Sequence, residues 1–136
     1  PRSQGWNGLR RYVREILKTG RMTYWGDGSE KRDYIHVCDA AQMSVLVMNE
    51  KYVNMAVTIT GQQSLNAKEL IDLLFEVTGK NKVYEFTGND MDHGHYIISP
   101  YRYNPKKAIK IVPTEFVDIG EGVLELVDDI SNELNL

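Results

Sequence analysis

The densest chemistry in the sequence lies at residues 26–39, which read Gly-Asp-Gly-Ser-Glu-Lys-Arg-Asp-Tyr-Ile-His-Val-Cys-Asp. Gly26-Asp27-Gly28 is a turn sequence whose glycines accept positive φ, and it sets Arg32 at the mouth of the segment that follows. A guanidinium there can grip phosphate oxygens through two parallel N–H···O bonds, or it can pair with Asp33 or Asp27 at the surface; the spacing permits both. His36 alternates with Tyr34 on one face of the segment. An imidazole there can act as a ligand or a general acid, and we read it as a hydrogen-bonded structural group. A second cluster, Asp90-Met91-Asp92-His93-Gly94-His95, gathers two carboxylates and two imidazoles suited to zinc. Its spacing matches no standard finger or zincin, and we assign no metal site.

Two further patterns imitate cofactor chemistry and are set aside. Gly5-Trp6-Asn7-Gly8 begins like a glycine-rich dinucleotide loop, but Arg11 stands at the third glycine position and no strand precedes it. Tyr103 and Lys107 have the Tyr-x-x-x-Lys spacing of a proton-transfer pair, which needs one helix face. Pro105 between them belongs in a first helical turn and leaves Tyr103 outside that helix. No Ser-His-Asp or Cys-His arrangement is legible, so we assign this chain no catalytic residues, no cofactor-binding residues and no metal ligands.

The elements that must position Arg32 follow from apolar periodicity. Leu9, Tyr12, Val13, Ile16 and Leu17 make a helical stripe over residues 8–18, with Gly20 as the stop and Arg10, Arg11 and Arg14 off the stripe. Residues 22–25 and 33–37 read as two strands around the glycine turn, a hairpin-like unit. Asp39 with Gln42 predicts a capped helix through about residue 49, with Met43, Leu46 and Val47 inward. A strand at residues 55–60 ends at Gly61. Asn66 and Glu69 cap a helix carrying Leu70, Ile71, Leu74, Phe75 and Val77, closed by Gly79. Residues 82–86 read as a strand, 87–104 as a long loop and 109–112 as a short strand. Val123, Leu126, Val127, Ile130 and Leu134 line a closing helix.

The expected architecture is therefore α/β, an α+β-like small lobe in which short strands form a small mixed sheet packed with about four helices. At 136 residues the chain suits one domain, residues 1–136. Its formal charge of −3 supplies no global basic field, so neither nucleic acid nor an anionic membrane is an expected partner. Charge is polarised all the same: residues 1–37 carry eight basic and four acidic groups, and residues 110–136 carry one and seven. Such a polarity can mark an anion-binding face near the beginning of the chain, and solvated helix faces account for it more simply. The single cysteine, Cys38, forbids an internal disulfide and suits a reducing compartment; no apolar run approaches a membrane span and no signal peptide opens the chain. Cytoplasmic residence is expected.

From the strand at residues 22–25 through Gly26-Asp27-Gly28, Arg32-Asp33-Tyr34-Ile35-His36-Val37 and Asp39, the sequence resembles the C-terminal half of extended short-chain dehydrogenases/reductases, the NAD-dependent sugar-nucleotide epimerases and dehydratases. In that family a strand, a Gly-Asp-Gly turn, an Arg-Asp-(Phe/Tyr)-Ile-His-Val segment and a nearby Asp occur in this order. The flanking elements agree over most of residues 8–134.

The resemblance implies that Arg32 holds the diphosphate of a nucleotide sugar, with Tyr24 or Trp25 stacked on or flanking the base. It implies a second diphosphate arginine late in the chain. Residues 89–96 contain none, and Arg102 is the nearest candidate. It further implies that the dinucleotide-binding Rossmann half, which would carry NAD(P) and the catalytic residues, precedes Pro1. The chain would then be the substrate-binding lobe of a longer enzyme such as a UDP-glucose 4-epimerase-like protein, binding no cofactor alone, inactive alone, and prone to form homo-oligomers through surface its other half would cover. The alternative is a stand-alone, non-catalytic module that binds a nucleotide or a partner protein.

Overall fold

The computed structural model describes residues 8–87 and 108–136. Arg102, the Asp90–His95 cluster, the Tyr103 and Lys107 pair and most of the Gly5–Gly8 pattern lie outside the described residues. Among the described residues, four α-helices and six short strands follow in the order α1 (Gly8–Thr19), β1 (Met22–Tyr24), β2 (Lys31–Tyr34), α2 (Val37–Leu46), β3 (Val57–Ile59), β4 (Gln63–Asn66), α3 (Ala67–Thr78), β5 (Tyr84–Phe86), β6 (Ile109–Ile111) and α4 (Ile119–Leu134). Pairing is mixed: β1 runs parallel to β5, β3 parallel to β6, and β2 antiparallel to β4, as three two-stranded units. The α/β class with four helices agrees with the sequence reading.

The core is helical. Val13 and Ile16 of α1, Ile71, Leu74 and Phe75 of α3, and Val123, Val127 and Ile130 of α4 form one buried cluster with Met22 of β1. Leu9, Tyr12, Leu17, Leu126 and Leu134 pack against it, so the stripes expected on α1 and α4 are the faces that are buried. Each large side chain removed from water in this way contributes about 1.5–3 kcal/mol. The α3 ends also follow the sequence. Asn66 Oδ1 accepts from Glu69 N at 2.8 Å, Glu69 Oε2 accepts from Asn66 N at 2.8 Å, and Gly79 closes the helix at φ 65°.

Three local expectations are corrected. β1 and β2 do not form a hairpin, because β1 takes β5 as its neighbour and β2 takes β4. The pairing is made across the fold, where Met22 and Tyr24 reach the aromatic edge of β5, and local turn chemistry does not decide it. Asp39 does not cap α2. His36 does, its Nδ1 accepting from Cys38 N at 3.4 Å, while the Asp39 carboxylate is buried in the first turn and accepts from Val117 N at 3.0 Å. The carboxylate thus satisfies a distant backbone N–H in place of a helix-end one. Finally, α2 stops at Leu46, and its apolar residues do not all face inward: Leu46 is exposed, as are Val37, Val45 and Met48.

The strand β4 was invisible in the sequence, since Gln-Ser-Leu-Asn neither alternates nor is rich in β-formers. It exists because Gly61 lets the chain pass against β2. A Cβ at Gly61 would lie 1.5 Å from the Tyr34 carbonyl oxygen.

Candidate functional site

The turn between β1 and β2 is built around a carboxylate. Gly26 and Gly28 adopt φ of 144° and 85°, and a Cβ on Gly26 would sit 2.0 Å from Glu30 Oε1. Glu30 is buried, and its carboxylate accepts from Asp27 N at 3.3 Å and Gly28 N at 3.1 Å. The backbone N–H groups of this turn therefore already hold an internal anion. The outer side of the turn docks α3: Ala67 N donates to Glu30 O at 2.9 Å and Lys68 N to Gly28 O at 3.1 Å, satisfying two helix-start donors. Glu30 was missed from the sequence, where only its place between the glycine turn and Arg32 could have signalled it.

Arg32 emerges from this braced turn on β2, in register with Leu65 of β4, and its Nη1 donates to Lys31 O at 2.9 Å. Asp33, beside it, carries a buried carboxylate 3.6 Å from Lys110 Nζ of β6. Asp27 Oδ1 accepts from the backbone and hydroxyl of Ser29. Arg32 is half-buried, a setting in which a guanidinium is partly desolvated and its bonds to an anion are correspondingly strong.

The two aromatics singled out from the sequence separate in character. Tyr24 is wedged between the rings of Tyr12, 5.8 Å away, and Phe86, 5.9 Å away and edge-on. Burial pushes its hydroxyl well above the usual tyrosine range, the Glu30 carboxylate adds to the effect, and Arg32 opposes it. Tyr34 is raised by burial as well, again with Arg32 opposing. Both rings therefore feel the Arg32 charge. Trp25 is 45% exposed, with the Arg11 guanidinium 5.7 Å from its ring centroid, so an aromatic face stands at the surface beside the turn.

His36 lies at the other end of β2 and faces a cavity of about 460 Å³ lined by Tyr34, Cys38, Gln63, Asp118 and Glu125 among others. Its Nδ1 caps α2 and its Nε2 stands 3.2 Å from Glu125 Oε2 of α4, the geometry of a structural, doubly partnered imidazole. Asp118 caps α4 through Gly120 N at 2.7 Å and accepts from Gln63 Nε2 at 2.5 Å. The Gln63 and Gly120 bonds hold its carboxyl below the usual carboxylate range. None of Arg32, Tyr24 or Trp25 lines this cavity. Among the described residues no three His, Cys, Asp or Glu side chains come together as metal ligands, and no helix is long and apolar enough to cross a membrane.

Residues 7–59 match the model of the NAD dependent epimerase/dehydratase family, a span that runs from α1 through the Arg32 turn to β3. No curated protein sequence matches the chain. Among solved structures, a UDP-glucuronic acid 4-epimerase from Bacillus cereus is similar over 98% of this chain and 42% of its own, with TM-score 0.75 and 18% identity. A UDP-glucose 4-epimerase from Thermotoga maritima is similar over 94% of this chain and 40% of its own, with TM-score 0.63 and 22% identity. A GDP-L-fucose synthetase from Naegleria fowleri is similar over 93% and 38%, with TM-score 0.67 and 14% identity. The chain thus spans about two fifths of the length of these proteins. The resemblance read from residues 22–39 stands on both counts: residues 7–59 carry the sequence pattern of the NAD dependent epimerase/dehydratase family, and nearly the whole chain shares the fold of one part of its sugar-nucleotide epimerases.

Proposed function

We propose that this chain is the substrate lobe of an NAD(P)-dependent sugar-nucleotide epimerase or dehydratase, of the kind that includes UDP-glucose 4-epimerases, and that it grips the nucleotide diphosphate. The observation that carries this reading is the coincidence of the family match with the braced turn: residues 7–59 contain Arg32, and the Glu30-filled turn holds that residue in place. Arg32 binds the diphosphate through charge-assisted bonds, Trp25 offers its exposed face to the base, Tyr24 supports that wall from within, and Arg102 supplies further positive charge.

The Gly26–Gly28 turn does not have the form of a dinucleotide cradle. The Gly26–Gly28 turn leads into a strand, whereas a dinucleotide cradle needs a glycine turn opening a helix, and its N–H groups are already bonded to Glu30. NAD(P) and the reacting groups therefore belong to a further half of the enzyme. The length of the relatives beyond the two fifths matched here accommodates such a half. The exposed apolar side chains from Val37 to Met55 supply a surface for it, Val37 being 74% and Met48 82% exposed. Alone, the chain is inactive in epimerisation and associates with itself through that surface. We place it in the cytoplasm, where the exposed Cys38 thiol stays reduced.

Calorimetric titration of the chain with UDP, TDP, a UDP-sugar and NAD tests this reading. Nucleoside diphosphates bind, NAD does not, and Arg32→Ala weakens binding by about 1.5–3 kcal/mol, roughly ten- to a hundredfold. Equal binding by Arg32→Ala, or sugar-nucleotide turnover by the chain alone, would overturn it.

A further inference from the structure

The three arginines that α1 holds off its apolar stripe have sorted into two roles. Arg10 and Arg14 each donate to one carboxylate oxygen of Glu133, clamping α1 to the end of α4. Arg11, between them in sequence, turns the other way. Its guanidinium lies 4.9 Å from the ring centroid of Tyr12 and 5.7 Å from that of Trp25, and among the described residues no carboxylate pairs with it. An arginine that serves the fold would be expected to join the Glu133 clamp. One parked on two rings at the surface keeps its charge where an incoming anion can reach it.

The rings under Arg11 are those that lead to Arg32. Tyr12 meets Tyr24 at 5.8 Å, and the Tyr24 ring packs against Gly26 next to the Glu30 carboxylate, in the turn from which β2 and Arg32 emerge. Arg11 therefore sits on an aromatic patch of Tyr12, Tyr24 and Trp25 that adjoins the turn carrying Arg32. A single guanidinium engages one phosphoryl group bidentately, so a diphosphate has a second group for a second cation. Stacking on an aromatic face restrains a guanidinium before ligand arrives and leaves its in-plane N–H edge to make hydrogen bonds.

We propose that Arg11 is a second phosphate-binding residue, closing on the diphosphate opposite Arg32 while Trp25 carries the base. The inference rests on the substrate-lobe reading and extends it to a residue of α1. It accounts for an arginine on Trp25 that has no partner in the helical core.

The test is the preference of the chain for UDP over UMP, measured by calorimetry for the unaltered chain, Arg11→Ala, Arg11→Lys and Arg32→Ala, each with its thermal melt. Arg11→Ala should lower UDP affinity about ten- to a hundredfold and UMP affinity much less, so the preference for UDP collapses, and the dependence of UDP binding on salt weakens. Arg11→Lys, which keeps the charge but not the fork, should recover part of the preference. Unchanged UDP affinity in Arg11→Ala alongside loss in Arg32→Ala would overturn the role of Arg11 and leave the lobe reading standing. A parallel loss of UDP and UMP binding with a lowered melt would reduce Arg11 to a packing residue and overturn the proposal. An unaltered chain that binds no UDP would overturn both.

Discussion

Helices α2 and α3 both carry apolar residues at positions that suit burial, yet the fold treats them in opposite ways. In α3 the apolar face is sealed: Leu74 and Phe75 are fully buried between α1 and α4, and both ends are capped. In α2 and the segment after it, Val37, Val45, Leu46, Met48, Val53 and Met55 are exposed, and α2 meets the rest of the described chain chiefly through β3 and the Asp39 bond to Val117. An apolar stripe guarantees a demand for a partner, and only the fold decides whether the same chain meets it. The first region is a core complete in itself. The second leaves its apolar side chains at the surface of the described chain.

Substitutions on the two helices should therefore differ most of all. Phe75→Ala is expected to destabilise the chain by about 3–5 kcal/mol in urea unfolding, through lost burial and the cavity left between three helices. The double change Val45→Asp with Met48→Lys is expected to leave stability within about 0.5 kcal/mol and to move sedimentation toward monomer. Comparable destabilisation by the two variants would erase the contrast and show that α2 is part of the core after all.

A smaller effect should come from the α3 cap. Asn66→Ala removes the acceptor for Glu69 N and should cost about 1 kcal/mol by the same unfolding assay. Because the first N–H groups of α3 also bond Gly28 O and Glu30 O, the change should additionally weaken UDP binding at the adjacent Arg32, whereas Val45→Asp should not. Equal UDP affinity in Asn66→Ala would separate the cap from the turn.

The mildest test is alkaline. The folded Tyr24 hydroxyl has a raised pKa, so its contribution to stability is fully present below the unfolded value near 10 and is lost as pH rises beyond it, where the unfolded chain releases the proton first. Stability should fall above about pH 10, and Tyr24→Phe should lessen the fall, with Tyr34 and Tyr84, also raised, sustaining the remainder. An unaltered alkaline slope in Tyr24→Phe would place that hydroxyl in water rather than among the rings of Tyr12 and Phe86.

Much of the fold was legible because helices announce themselves locally. The stripes on α1, α3 and α4, the Asn66–Glu69 box and Gly79 are all sequence features within one or two turns of where they act. What escaped notice involves partners far along the chain. β4 is a strand only through β2, β1 finds β5 some sixty residues away, and Asp39 is used by Val117. At the candidate site, the glycine turn and the place of Arg32 after it are legible in the sequence, while the phosphate role of Arg32 is what the family resemblance implies. Glu30, whose carboxylate fills that turn, is not legible, because an exposed and a buried glutamate look alike until the backbone folds around one of them.

The sequence by itself determined the four described helices, the position of the Gly26–Gly28 turn and the basic character of the first thirty-seven residues, since periodicity, capping chemistry and charge order are properties of short stretches. The tertiary structure alone decided that α2 stands with its apolar side chains outward and that Glu30 is drawn inside. It likewise sent Arg10 and Arg14 to Glu133 while Arg11 lay down on Trp25. Those outcomes depend on which surfaces meet at long range, and neighbouring residues on one helix can be drawn to opposite fates by the elements that pack on either side of them.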